Sequence, residues 1–340
     1  MRILVLYSRL VPSWIPVFEK LVELGYALDV VHWDDANRNN FNPPKIEGVN
    51  YFKRSIFTYN ELRLLFKKNI PQLIFISGWM DIEYLKIAFI ARRKNIPVAF
   101  GCDNWWQGTA RQWTASFIPK SIRRLLFSHA WIPGPRQYEF CKRLGYSDNE
   151  IIHNLLSCDA DSFRPISTER KKRFIYVGRL SEEKGISTLV EAFQIYQNEL
   201  NGSWEMLCVG AGGYARERMN HSGLKLVAFS DSAAVASLMA ESSVFVMPSV
   251  RDFSPVAVHE AVCMGLPIIL SEGVGNNDCY AVQNYNAMIF PVRDSSALAR
   301  CFKRFELMSA EDIEKMGKNS LVLSLRNNPE ITALSLVSII

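Results

Sequence analysis

Short runs of apolar residues alternate along this chain with segments whose apolar residues recur at helical spacing. The runs predict strands at Ile3–Tyr7, Leu28–Val31, Leu73–Ser77, Val98–Gly101 and Ala130–Ile132. A second series follows at Phe174–Val177, Trp204–Val209, Leu224–Phe229, Val244–Met247, Pro267–Leu270 and Ala287–Phe290. Between them, sets such as Val17, Leu21 and Leu24, or Leu189, Ala192, Phe193 and Tyr196, mark one face of a helix. Regular alternation of strand and helix predicts an α/β protein with doubly wound parallel sheets. A polar, proline-marked, charged stretch from Arg164 to Arg173 interrupts the pattern and is expected to be the linker. The expected domains are therefore 1–165 and 166–320, with a helix over 321–340 returning to the first. Ligands of open α/β sheets bind beyond the carboxyl ends of the strands, so the loops after strands are the places to look for chemistry.

Length and composition agree with two ordinary globular cores. The chain has 340 residues, of which 49% are hydrophobic and 21% charged. No apolar run reaches the roughly 18 residues a membrane-spanning helix needs. The first residues, MRILVLYSRL, read as a strand rather than a signal peptide. Seven scattered cysteines without a Cys-x-x-Cys spacing predict neither a disulfide framework nor a thiolate metal site, which places the expected setting in the reducing cytoplasm.

Charge is uneven. Residues 1–165 hold 22 Lys and Arg against 15 Asp and Glu, and the remainder 17 against 19. Basic clusters stand at Lys67–Lys68, Arg92–Lys94 and Arg123–Arg124, with Trp105, Trp106, Trp113 and Phe117 near in sequence. Such a half suits an anionic membrane surface or an anionic acceptor, and equally a solvated surface over core tryptophans. Nothing resembles a nucleic-acid-binding signature.

Two loops carry the candidate chemistry. The first, Gly178-Arg179-Leu180-Ser181-Glu182-Glu183-Lys184-Gly185, leaves a strand with two cations at the mouth of the next helix. A guanidinium fork and an ammonium could clamp a diphosphate, or could be solvated surface charge. It is not a P-loop, lacking Gly-Lys-Ser/Thr, and Gly210-Ala211-Gly212-Gly213 lacks the third glycine of a dinucleotide fingerprint. The second loop lies in MPSVRDFSPVAVHEAVCMGLPIILS, residues 247–271. Asp252 stands at a strand exit and Glu260 within a helix, separated by Phe253, Ser254, Pro255 and Val256 at the helix start. A carboxylate, an anion-ready helix start and a second carboxylate would suit hydroxyls, a phosphate and more hydroxyls. The same stretch is also compatible with a plain βαβ crossover whose acids are solvated.

Taken in order, these residues resemble the retaining family 4 glycosyltransferases of GT-B fold, across about residues 170–310. The matching positions are Gly178-Arg179 with Lys184-Gly185, then Gly210 and Gly212, Pro248-Ser249, the paired acids, Glu260-Ala261, Gly265-Leu266-Pro267 and Val274-Gly275. Two departures stand out. Asp252 occupies a position where the family usually has Glu, and Asn284-Tyr285-Asn286-Ala287 replaces a glycine-bearing turn. The resemblance implies two Rossmann-like domains facing a central cleft, with the donor on the C-terminal side. It implies Arg179 and Lys184 on a diphosphate, Glu260 on the ribose, Asp252 on the transferred sugar, and backbone N–H groups from Ser254 through Pro255 to Val256 on sugar or phosphate oxygens. Gly178, Gly210 and Gly212 would border the nucleotide.

The N-terminal half matches more weakly: Ser8–Trp14 has no glycine, and Asp103 stands where the family usually pairs His with Asp. Asp103 is expected either to face the acceptor as a catalytic group or to cap a helix over Asn104–Thr109. His259 is expected to serve packing or surface. Neither a metal at the diphosphate nor any cofactor beyond the co-substrate is expected. The implied activity is retaining transfer from a nucleoside diphosphate sugar to a saccharide or lipid-linked saccharide, in polysaccharide or lipopolysaccharide synthesis at the inner membrane face. A sugar-nucleotide epimerase and a catalytically degenerate partner subunit are the alternatives.

Overall fold

The computed structural model describes residues 1–34, 41–214, 222–228 and 231–340. They form two units, Met1–Asp159 joined by Asn327–Ile340, and Ala160–Arg326. Each is built on one parallel sheet.

In the first unit the strands are β1 (Arg2–Tyr7), β2 (Ala27–His32), β3 (Val49–Lys53), β4 (Leu73–Ile76), β5 (Val98–Gly101), β6 (His129–Trp131) and β7 (Ile151–Ile152), in the order β3-β2-β1-β4-β5-β6-β7. Alternation along each strand divides the core between the two faces. Leu4, Leu6, Ile74, Ile76, Val98 and Phe100 pack with Leu62, Phe66, Tyr84 and Ile87 of the helices Tyr59–Lys68 and Ile82–Arg92. Ile3, Val5, Leu28, Val30, Leu73 and Phe75 pack on the other side with Trp14, Val17, Phe18 and Leu21. Their cover also includes Ala333 and Leu336, from the helix Pro329–Val337.

The second unit holds β8 (Arg173–Val177), β9 (Glu205–Val209), β10 (Leu224–Val227), β11 (Val244–Met247), β12 (Ile268–Ser271) and β13 (Ala287–Phe290), ordered β10-β9-β8-β11-β12-β13. Phe174 is the centre of an aromatic cluster, with Phe302 at 4.6 Å and Trp204 at 5.0 Å between ring centroids.

Four expectations shift. The strands β3 and β7 escape the apolar pattern, because β3 is an edge strand of mixed burial and β7 has two residues. The strand expected over Leu224–Phe229 ends at Val227, and Phe229 lies outside the described residues. The division falls at Asp159/Ala160 rather than after residue 165, because the polar stretch is already anchored to the second unit. Arg170 donates to the carbonyls of Gly265 and Met264, both at 3.0 Å, and the buried Arg173 donates to Ser242 and the Leu238 carbonyl. The expected helix over 321–340 is two helices. Ala310–Ser324 stays in the second unit, where Ser320 donates to the Leu266 carbonyl, and Pro329 with an Asn328 cap opens the returning one. Asn327 Nδ2 fastens that return to the Leu156 carbonyl at 2.7 Å.

The basic clusters are also redistributed. Arg123 is buried and donates to the Ala115 carbonyl at 2.9 Å, while Arg92 donates to the carbonyls of Ile96 and Arg124. These two are structural props rather than surface charge. Glu150 gathers Lys120 and Arg124 and takes the Ser147 amide and hydroxyl. Burial pushes its carboxyl up, but those hydrogen bonds and cations outweigh it and bring it down to about 2. A depressed carboxyl stabilises above its unfolded value, near 4.3, and loses that contribution as pH falls through its folded value. Glu150→Gln is therefore expected to lower stability by about 0.5–1 kcal/mol at neutral pH, limited by the solvent around Arg124. The difference from the parent should close as pH falls from about 4 to about 2. Melting both proteins across that range checks it, and a pH-independent gap would refute it.

Candidate donor-binding site

The strand order of the second unit reverses between β8 and β11, so the loops leaving those strands open a crevice between neighbouring helices. The loop after β8 is held from below, where the buried Tyr176 donates its hydroxyl to the Arg179 carbonyl at 2.7 Å. The amide of Gly178 donates to Val209 at 3.0 Å and that of Leu180 to Ala211 at 2.9 Å, while Tyr214 donates back to Leu180 at 3.1 Å. Backbone thus lies directly on backbone between the loops after β8 and β9. A Cβ on Gly210 would stand 1.9 Å from the Gly178 carbonyl oxygen, and one on Gly212 would stand 2.2 Å from that of Leu180. The glycines the sequence marks for a nucleotide are, in the structure, the residues that let these loops touch.

The loop after β11 joins from the other side. Val250 donates to the Glu183 carbonyl at 2.9 Å, and Gly185, at φ +70°, lies so close to Pro248 that a Cβ would be 2.0 Å from its oxygen. This contact places Lys184 beside Asp252, and Lys184 Nζ donates to Asp252 Oδ2. Both side chains are largely buried, 15% and 12% exposed. The buried Ser249 has its hydroxyl 3.5 Å from the same oxygen.

Asp252 is itself fixed by main chain. Its amide donates to the Gly273 carbonyl at 3.0 Å, and its carbonyl accepts from Gly275 at 2.7 Å. Next along the chain, Asn276 Nδ2 donates to the Pro255 carbonyl at 2.9 Å. The helix Val256–Cys263 then begins at Pro255 with no side-chain cap. It starts four residues after Asp252, and the first-turn N–H groups and dipole end of a helix favour anions.

Several expectations are sharpened or corrected here. Lys184 and Asp252 meet. Arg179 does not join them: it is 69% exposed and lies 3.7 Å from Glu183. Pro255 cannot donate, having no amide hydrogen, so of the three residues at the helix start only Ser254 and Val256 have N–H groups to offer. Glu260 is half-buried on the helix that follows Asp252. His259 serves packing, stacked on Tyr280 at 4.4 Å and 15°. Asn284 takes φ +62° in the turn that lacks the family's glycine, a conformation asparagine tolerates, and the buried Asn286 braces it by donating to the Tyr280 carbonyl. Asn276 escaped the reading of the sequence; its signal was a polar residue directly after Val274-Gly275.

In the first unit Asp103 is exposed in the loop after β5 and accepts from Asn104 Nδ2 at 2.9 Å. It caps no helix. The next one, Ala110–Phe117, is capped by Thr109, whose hydroxyl accepts from Gln112 at 3.3 Å. Burial above all, with the charge of Asp103 adding, holds the Tyr7 hydroxyl well above its ordinary pKa.

Comparisons with known proteins agree with this geometry. Residues 159–321 match the family model described as Glycosyl transferases group 1. The chain is 27% identical over 152 residues to the amylovoran biosynthesis glycosyltransferase AmsK of Erwinia amylovora, covering 41% of this chain and 37% of that one. It is 27% identical over 132 residues to the putative teichuronic acid biosynthesis glycosyltransferase TuaC of Bacillus subtilis (strain 168), covering 39% and 32%. The match thus spans about a third of the length of these relatives. Among solved structures, sucrose-phosphate synthase from Thermosynechococcus elongatus superposes with a TM-score of 0.77 at 17% identity, over 100% of this chain and 98% of that one. Anabaena HepE in complex with UDP gives 0.74 at 12% identity, over 100% and 99%. The fold is therefore that of the GT-B glycosyltransferases, two parallel-sheet Rossmann-like domains, and residues 159–321 carry the sequence pattern of Glycosyl transferases group 1.

Proposed function

We propose that this protein transfers a sugar, with retention at the anomeric carbon, from a nucleoside diphosphate sugar to a saccharide or lipid-linked saccharide in cell-surface polysaccharide synthesis. The observation that carries the proposal is the Lys184–Asp252 pair at the strand-order reversal, followed in the chain by the uncapped start of helix Val256–Cys263. As the glycosidic bond breaks, negative charge gathers on the leaving diphosphate. Lys184, the N–H groups of Ser254 and Val256 and the helix dipole would receive it, with Arg179 swinging in from its exposed position. Asp252, held by Lys184 and by its own backbone, would take a hydroxyl of the sugar. Glu260 would bind the ribose, Gly178, Gly210 and Gly212 would let backbone approach the nucleotide, and Asp103 would face the acceptor. These protein cations do the work of a divalent ion, so none is needed at the diphosphate. The neighbour HepE is solved both with UDP and with UDP-glucose, which makes uridine diphosphate sugars the first donors to try.

The test is a panel of nucleoside diphosphate sugars incubated with saccharide and lipid-linked acceptors in excess chelator. Expected are acceptor-dependent release of nucleoside diphosphate and a product whose anomeric signal keeps the donor's configuration. Glu260→Gln should chiefly raise donor KM, since ribose is held equally in ground and transition states. Activity lost in chelator and restored by magnesium would refute the metal-free mechanism, and an inverted product would refute retention. Isomerised donor without transfer would identify an epimerase, and binding without turnover a partner subunit.

A further inference from the structure

The helices Ala110–Phe117 and Lys120–Arg124 of the first unit present apolar residues outward. Trp113, Phe117, Ile118, Ile122 and Leu125 are 44–76% exposed over this short stretch of chain. Trp113 stacks on Phe117 at 6.1 Å and meets Trp106 edge-on at 5.1 Å. An exposed apolar group of this size is costly in water unless something covers it. The charge around it identifies the cover. Between Asp103 and Glu139 the chain contains five Lys and Arg and no acid. Of these, Arg123 is turned inward, which holds the second helix against the first through the Ala115 carbonyl. Arg111 and Arg124 are exposed and Lys120 half-exposed among the apolar residues, and Arg143 spreads its guanidinium over Trp106 at 4.3 Å. Glu150 pairs with Lys120 and Arg124, and Glu139 with Arg143, yet residues 103–150, with seven Lys and Arg against four Asp and Glu, stay net cationic.

We infer that this ridge docks on an anionic lipid surface. The apolar side chains enter the boundary between head groups and acyl chains, with the tryptophans at head-group level, and the cations meet lipid phosphates. A second copy of this chain would repel the same cations, whereas anionic lipid attracts them. No helix among the described residues is long and apolar enough to cross a membrane, so the contact is peripheral. Arg123 supports the ridge from beneath and does not touch lipid. Docking here goes beyond the proposed transfer and does not depend on it.

The test is flotation of the full chain with phosphatidylcholine vesicles, with and without phosphatidylglycerol, at low and high salt. Binding is expected only with phosphatidylglycerol present, falling as salt shortens the reach of the cations. The double substitution Phe117→Ser, Ile122→Ser should weaken it by about tenfold or more, and Arg111→Glu with Lys120→Glu should weaken it and flatten the salt dependence. All these positions are exposed or half-exposed, and an unchanged melting curve and unchanged UDP affinity would show that each variant folds. Three outcomes overturn the inference: no vesicle binding, equal binding to pure phosphatidylcholine, or a concentration-dependent dimer that the Phe117 and Ile122 substitutions dissolve. UDP affinity and donor turnover measured on the same preparations report separately on the proposed transfer.

Discussion

Lys184→Ala is expected to weaken nucleoside diphosphate binding about ten- to hundredfold, the loss of one charge-assisted contact worth roughly 1.5–3 kcal/mol. Turnover should fall at least as far, because the leaving diphosphate carries more charge in the transition state than in the donor. A second effect follows from the ligand-free geometry. Lys184 is the cation on the largely buried Asp252 carboxylate, which also has the Ser249 hydroxyl at 3.5 Å. Removing the ammonium leaves a desolvated charge behind, so the second unit should also melt earlier. Adding Asp252→Asn to Lys184→Ala should recover that stability without recovering affinity. Asp252→Asn alone should mainly lower kcat, leaving nucleoside diphosphate affinity within a few-fold. Calorimetric titration with the nucleoside diphosphate, beside melting curves of the four proteins, reads all of this. Wild-type affinity in Lys184→Ala would remove Lys184 from the site.

Gly185→Ala is expected to be among the most damaging single methyls in the second unit, beside Gly210→Ala. The position sits at φ +70°, and the added carbon would stand 2.0 Å from a backbone oxygen that no rotamer can move. The strained conformation and the forced separation of two loops together cost about 2–4 kcal/mol, a fall of roughly 5–15 °C in melting temperature for a unit of this size. Because Gly185 adjoins Lys184, donor affinity should fall with it. Gly213→Ala is the control for stability, since nothing lies within 4 Å of a carbon added there. Equal melting of the two variants would show that the loops are not packed as described.

The fold was legible because parallel strands are buried on both faces and therefore appear as unbroken apolar runs such as Val244–Met247. The edge strand Val49–Lys53 was not, because its burial is mixed along its length. In the site, loop chemistry was readable from residue type, but the pairing of Lys184 with Asp252 joins positions 68 apart and depends on strand order. Glycines at 178, 210 and 212 pointed to the right loops for a reason only partly theirs, since close contact between loops selects the same residue as approach to a ligand. Aromatic residues in the first half were ambiguous in principle. Hydrophobicity alone cannot tell Trp131, fully buried, from Phe117, 76% exposed.

The returning helix Pro329–Val337 has a consequence for biosynthesis. Helix Ile15–Glu23 leaves the ribosome well before Ala333 and Leu336, which supply part of its cover. For the whole time that Ala160–Arg326 is being made, the first unit carries a sticky, half-clothed face with Val17, Phe18 and Leu21 beneath it. The second unit can therefore finish folding before the first, and until the returning helix arrives the face around Val17, Phe18 and Leu21 is the natural foothold for a chaperone.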